Sequence, residues 1–328
     1  MTPHPLARPG TALAAPALAL VALTALPAAA VEPAADLPYR VEILHEGLDR
    51  PWSLAFLPGS GDILLTERGG RFRIWQGATG AMADLTGAPQ VVDAGQGGLL
   101  DATPAPDFAT TGHIYATWSA ADGGGSTTAL GRFRLDRAAG ALVEGTELFR
   151  VRPAMGGNGH FGSRIVFHDG HLFVGLGDRQ SKAFGPGHPS QDLGSENGAV
   201  IRLGLDGSVP ADNPFVGQPG AAPAIWSYGH RNIQAMAVHP ETGAIWLAEH
   251  GEAGGDEINI VRRGANYGWP LVSHGVSYRG GAVFAPPHRP GDGFEAPVYH
   301  FPPGRDAHFP PSGMAFYTGA AFPEWQGS

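Results

Sequence analysis

Ser163-Arg164-Ile165-Val166-Phe167, a turn, then Gly170-His171-Leu172-Phe173-Val174-Gly175 is the stretch that decides the fold, because its pattern returns along the chain. An apolar strand, a turn, a glycine and a second strand of large apolar residues recur as Trp52 to Pro58 with Gly61 to Glu67, and as Gly98 to Ala102 with Gly112 to Trp118. They recur again as Gln234 to Pro240 with Gly243 to Ala248. A third segment follows each pair: Arg71 to Trp75, Gly131 to Leu135, Ala199 to Leu203 and Glu257 to Val261. Alternation with a period of two predicts half-buried strands, and the glycines and prolines between them predict turns. A fifth copy is expected to open at Pro311 to Tyr317.

No periodic stretch requires a helix, so the chain reads as all-β. The units are longer than the roughly 40 to 50 residues of simple propeller blades, which implies insertions between blades. A β-propeller is the expected architecture, with an array of β-sandwiches as the alternative. The Gly-, Pro- and His-rich segments 181–198 and 270–310 are expected to be loops on one face of the ring, where such folds keep their ligands.

Residues 1–30 read as a secretory signal peptide, with an Ala/Leu/Val run from Thr11 to Leu26 before Ala28-Ala29-Ala30. Residues 31–328 are then the expected propeller domain, periplasmic or secreted, with no stable membrane span after cleavage. The chain has no cysteine, which excludes disulfides, thiolate metal sites and cysteine nucleophiles. A formal net charge of -9, with Lys182 the only lysine, argues against a nucleic-acid partner. It suits a small molecule or a cation.

One imidazole stands out. His160 lies among Gly156, Gly157, Gly159 and Gly162, just ahead of the strand at Ile165, where glycine lets a ligand approach closely. Around it stand four strings: GQGGLL at 95–100; GHFGSRIVF at 159–167 with GLGDR at 175–179; YGHRN at 228–232; and EHGEAGGDEINIVRRGANYGWP at 249–270. In this order they resemble the soluble PQQ-dependent aldose (glucose-type) sugar dehydrogenases, from about Leu48 onward. The resemblance implies a six-bladed propeller, here lacking its last blade or part of it, since family members continue further.

Oxidising an aldose at C1 needs a base for the hydroxyl proton, an acceptor for the hydride and positive charge where the acceptor's oxygen becomes anionic. No side chain accepts hydride, so a cofactor is required. Neutral His160 can be the base, Asp178 can fix its tautomer, and Arg231 can face the developing negative charge with Asn232 beside it. The resemblance assigns the same parts: His160 as base, Asp178 as its carboxylate partner, and Gln96, Arg231 and Asn232 in the quinone pocket. It also implies Ca²⁺ on the backbone carbonyls of Gly251 and Glu252, and a second, structural Ca²⁺ at Glu257 and Tyr267.

The sequence departs from the family at Glu252, often Pro, and at Ile233-Gln234-Ala235, commonly Pro-Gln-Gly. The expected reaction is oxidation of the aldose C1 hydroxyl to the lactone, with electrons passed to an unidentified acceptor. A Ca²⁺-dependent propeller lactonase and a non-catalytic sugar- or protein-binding propeller stay open as alternatives.

Overall fold

The computed structural model describes Tyr39 and residues 41–304 and 309–328. The expected signal peptide lies outside the described residues. The chain divides into Met1–Leu44, whose described residues carry no strand or helix, and His45–Ser328, which holds the fold.

Four antiparallel sheets of four strands follow one another in that second unit. The first contains β1 (Pro51–Phe56), β2 (Ile63–Glu67), β3 (Arg71–Trp75) and β4 (Met82–Leu85). The second contains β5 (Leu99–Pro104), β6 (His113–Asp122), β7 (Gly125–Asp136) and β8 (Ala141–Arg150). The third contains β9 (Gly162–His168), β10 (His171–Leu176), β11 (Ala199–Gly204) and β12 (Ile225–Tyr228). The fourth contains β13 (Ile233–Val238), β14 (Ile245–Glu249), β15 (Glu257–Ile260) and β16 (Tyr299–His300). Within each sheet the strands pair in chain order, and the first strands β1, β5, β9 and β13 pack in succession against one another. These are four blades of a β-propeller.

Apolar residues fill the spaces between blades, because alternate side chains of a strand leave on opposite faces. On β10, Leu172, Val174 and Leu176 pack toward the second blade with Tyr115, Leu130 and Val151. Phe173, between them, packs toward the fourth with Ile233, Met236 and Leu247. The first and second blades enclose Phe72, Ile74, Ile114, Trp118 and Phe133. Three such interfaces are present, and on the far side of β1 Leu54 and Phe56 are 60% and 70% exposed.

Each inner strand shifts register where it begins: at Pro51/Ser53, Leu99/Ala102, Gly162 opposite Leu176, and Ile233/Ala235. Bulges of this kind bend a strand end and re-aim its neighbours. Gln96, His160 and Arg231 all lie just before these shifts, so the topology brings them to one rim.

The inner, second and third strands fall where the sequence places them. The outer strands do not show in the pattern, since β4, β12 and β16 are four residues or fewer and the middle of β8 is exposed. A strand wetted on one side and short keeps no visible alternation. β16 interrupts the segment 270–310 that was expected to be all loop. Pro311 to Tyr317, expected to open a fifth blade, carries no strand, because its backbone meets no partner strand; Ser312 O instead accepts from Arg164 Nη2 at 2.9 Å. Four blades are therefore present among the described residues, where a six-bladed type lacking its last blade or part of it was expected. No helix there is long and apolar enough to cross a membrane.

Asp101 ties the inner strands. Its carboxylate accepts from Ser53 Oγ of β1 at 2.6 Å, from Arg164 Nη1 of β9 at 2.9 Å and from Ile165 N at 2.8 Å. Breaking a buried ion pair strands the remaining charge, at about 3–5 kcal/mol. Asp101→Ala is accordingly expected to lose about that much stability in urea unfolding; a loss under about 1 kcal/mol, the scale of an exposed pair, would contradict the assignment.

Candidate active site

The loop that ends at β9 holds His160 at φ +48°, a left-handed conformation that a non-glycine residue adopts only when its surroundings demand it. Three bonds make the demand. Its N–H donates to Gln96 Oε1 at 2.7 Å, its carbonyl accepts from Arg179 N at 3.2 Å, and its ring Nδ1 meets Asp178 Oδ1 at 2.6 Å. Gly177 is required alongside, since a Cβ there would lie 2.3 Å from the His160 carbonyl oxygen. Arg179 braces the preceding glycines through Gly157 O and Gly159 O, with its guanidinium over the Phe161 ring.

Asp178, just beyond β10, is 1% exposed and fully engaged. Oδ1 also accepts from Gln180 N at 2.9 Å, while Oδ2 accepts from Trp269 Nε1 at 2.8 Å and lies 3.4 Å from His188 Nε2. Burial alone would raise its pKa, yet the bonds from His160 and His188 prevail and hold the carboxyl well below the usual range. For His160 burial is the largest influence and lowers the pKa, opposed by Asp178 and reinforced by the Arg231 charge. The ring is therefore neutral at pH 7. An acceptor carboxylate at Nδ1 puts the proton there and leaves the Nε2 lone pair free.

Arg231 arrives just before β13. Its N–H donates to Glu249 Oε2 at 2.6 Å, Nη2 pairs with Glu252 Oε2 at 2.6 Å, and Nη1 donates to His250 O at 3.0 Å. Its Nε is buried without a partner among the described residues. A cavity of about 280 Å³ brings Arg231 together with His160, Gln96, Gln180, Lys182, His250, Gly251 and Asp256. Asn232 lies apart, in an adjoining cavity of about 180 Å³ that shares Gln96 and His250. There its Oδ1 accepts from Gly162 N at 3.3 Å and Gln234 Nε2 at 3.0 Å. A larger cavity of about 820 Å³ runs along β1, but its charged residues Asp101 and Arg164 pair with each other and leave no free base.

The expected metal ligands divide into two groups. Gly251 lines the 280 Å³ cavity and donates its N–H to Asp256 Oδ1 at 2.8 Å. The Glu252 carbonyl accepts from Val276 N at 2.9 Å, and its side chain is committed to Arg231. Glu257 and Tyr267 do not line that cavity, but they meet Gly251, with Glu249 and Arg231, in a smaller one beside it. Glu257 faces Glu249 as its partner across β14 and β15. Burial, then the Glu249 charge, raise the Glu257 pKa well above the usual carboxylate value. The Tyr267 carbonyl accepts from His288 Nε2 at 3.1 Å, so an imidazole stands beside the oxygen that the resemblance implied as a ligand.

Sequence reasoning missed Trp269, His188, Glu249, His250 and Asp256. Four of these lie inside the quoted 249–270 string, which was visible, but nothing in it said that Trp269 would reach Asp178 across 91 positions. His188 sits in a loop with no readable pattern.

Residues 48–328 match the family model described as Glucose / Sorbosone dehydrogenase. The chain is 43% identical over 298 residues to the aldose sugar dehydrogenase YliI of Escherichia coli (strain K12), covering 89% of this chain and 77% of that protein. The fold superposes on the crystal structure of the soluble aldose sugar dehydrogenase of Escherichia coli in its apo form with a TM-score of 0.79 at 42% identity, covering 87% of this chain and 80% of that one. Against the PQQ-bound aldose sugar dehydrogenase of Streptomyces coelicolor the TM-score is 0.68 at 30% identity, covering 84% and 74%. A neutral, carboxylate-held histidine facing an arginine at the rim of a β-propeller thus sits in a chain that belongs to the glucose/sorbosone dehydrogenase family, as an oxidoreductase of the aldose sugar dehydrogenase kind.

Proposed function

We propose that this chain oxidises the C1 hydroxyl of aldoses to the lactone, with PQQ as hydride acceptor and Ca²⁺ beside it. The observation that carries this reading is His160, whose Nδ1 is held at 2.6 Å by Asp178 while the ring opens onto the cavity that Arg231 shares. PQQ is a planar quinone bearing three carboxylates. The cavity suits it: Arg231 and Lys182 bring positive charge, Gln96 and Gln180 bring amides, and the buried Arg231 Nε lacks an acceptor. Asp256 beside Gly251 offers a hard oxygen for Ca²⁺ in addition to the carbonyls of Gly251 and Glu252.

When bound, PQQ supplies the two-electron acceptor that the side chains lack. His160 takes the C1 hydroxyl proton at Nε2. Asp178 then stabilises the imidazolium through Nδ1–H, without taking the proton itself. Arg231, fixed by Glu252 and the His250 carbonyl, holds positive charge where negative charge develops on the acceptor. The electrons leave to an acceptor outside the chain. The protein works outside the cytoplasm on this reading, and the N-terminus of the exported protein should begin near Val31; retention of residues 1–30 in the mature protein would contradict it.

With PQQ and Ca²⁺ saturating, His160→Ala should lower kcat for dye reduction with glucose by about 10²–10⁴-fold while PQQ still binds. Full rate in the variant would reject the base, and lactone hydrolysis by PQQ-free protein would favour a hydrolase. The neutral imidazole is the active form and its pKa lies below 6.5, so activity should hold at neutral pH and fall as pH drops through that lowered value. Asp178→Asn removes the influences that raise the His160 pKa, so the acid limb should move to still lower pH as the plateau falls. A limb that stays in place would separate Asp178 from His160.

A further inference from the structure

The loop between β15 and β16 turns two histidines toward one carboxylate. His274 Nε2 and His288 Nδ1 lie 3.2 Å apart, and ligand atoms of both lie within 4.8 Å of a Glu257 carboxylate oxygen and of each other. Two nitrogens bound at about 2.0–2.1 Å in a tetrahedral shell stand about 3.3–3.4 Å apart, so the imidazole pair already has the separation of two ligands to one ion. The third atom completes a face of such a shell with a modest inward movement.

The surroundings support the ring nitrogens in that role. His288 Nε2 meets the Tyr267 carbonyl at 3.1 Å, which places its proton on Nε2 and leaves the Nδ1 lone pair toward His274. Metal-binding histidines are held by a backbone carbonyl in this way. His274 is stacked between His288 and His300, with the His300 ring 3.8 Å away and nearly parallel. Glu257 is 9% exposed and, among the described residues, receives one hydrogen bond, from Asn259 Nδ2 at 3.2 Å. Across the ladder stands Glu249, a second buried carboxylate. Among the described residues no arginine or lysine side chain pairs with Glu257, which leaves its carboxyl available to a cation.

We propose that Glu257, His274 and His288 form a binding site for a divalent ion that accepts nitrogen ligands, of the Zn²⁺, Co²⁺ or Ni²⁺ class, in place of the Ca²⁺ implied at Glu257 and Tyr267. Ca²⁺ takes six to eight oxygens, whereas this site presents two imidazoles and a carboxylate, with one position open to water. The ion would fasten the 270–300 loop to the fourth blade. It takes no part in the redox reading above, and its test does not involve activity.

The experiment titrates Co²⁺ into the metal-stripped, tag-free full chain and follows visible absorption, with thermal melting in parallel. The expected result is the intense spectrum of four- or five-coordinate Co²⁺ at about one equivalent, a raised melting temperature, displacement by Zn²⁺, and persistence in about a hundredfold excess of Ca²⁺. His274→Gln and Glu257→Gln should each weaken Co²⁺ binding by more than the roughly 10–100-fold that losing an outer partner costs. Circular dichroism checks the fold of each, and His288→Gln provides a third variant should either fail to fold. Absence of the spectrum, displacement by equimolar Ca²⁺, or an unchanged spectrum in the folded variants would overturn the proposal.

Discussion

Inner strands of neighbouring blades do not share a hydrogen-bonded ladder, so something else must fix their spacing, and buried carboxylates do it. Asp101 gathers a hydroxyl from β1 and a guanidinium and an amide from β9 onto a carboxylate of β5. Two threonines extend the connection: Thr66 donates to Leu100 O at 2.6 Å and Thr117 to Ser163 O at 2.9 Å. Apolar contacts between blades are non-directional and tolerate sliding. The polar bonds are directional, and an unpaired charge in that place would cost several kcal/mol, so they set one register. Blade packing supplies the stability, and Asp101 supplies the alignment.

The same device, moved to the rim, makes the site. Asp178 joins the third blade to the 270–300 loop through Trp269, and Glu249 joins the start of β13 to β15 through His230, the Arg231 amide and Asn259. Burial pushes both His160 and Asp178 toward their neutral forms. Only His160 yields, because Asp178 receives several donors and His160 faces a further positive charge in Arg231. A neutral imidazole beside an ionised carboxylate is the division of labour that the proposed proton abstraction near pH 7 requires.

What the sequence disclosed follows from this physics. Strands with both faces buried, such as β10, show their apolar character in the letters, and twelve of the sixteen strands were readable from the recurring pattern. The four outer strands are too short or, in β8, too exposed at the middle to carry a visible alternation. His160, Asp178 and Arg231 were legible as strings beside glycines and strand ends, and the structure brings them together. Asn232, which the resemblance and its place beside Arg231 put in the same pocket, lies just ahead of β13 and lines the adjoining cavity. Trp269 and His188 were illegible because their meeting with Asp178 depends on how two long loops fold back. The expected fifth opening at Pro311 shows the limit from the other side: a strand-like pattern becomes a strand only where a partner receives its backbone.

The 270–300 loop gathers these strands of the argument. It begins at Trp269, whose indole N–H holds Asp178, and it carries His274 and His288 to Glu257 before β16 pairs with β15. A loop this long pays heavily in conformational entropy to hold one side chain in place. Aromatic contacts of Phe184 and Phe284 with Trp269 offset part of that cost. The two-residue β16 offsets little. An ion bound by one strand residue and two loop residues would constrain the loop at its middle, on the path between Trp269 and the sheet. Its effect on the base would then be indirect, through the order of the loop that positions the indole against Asp178, and not through charge at the reacting atoms.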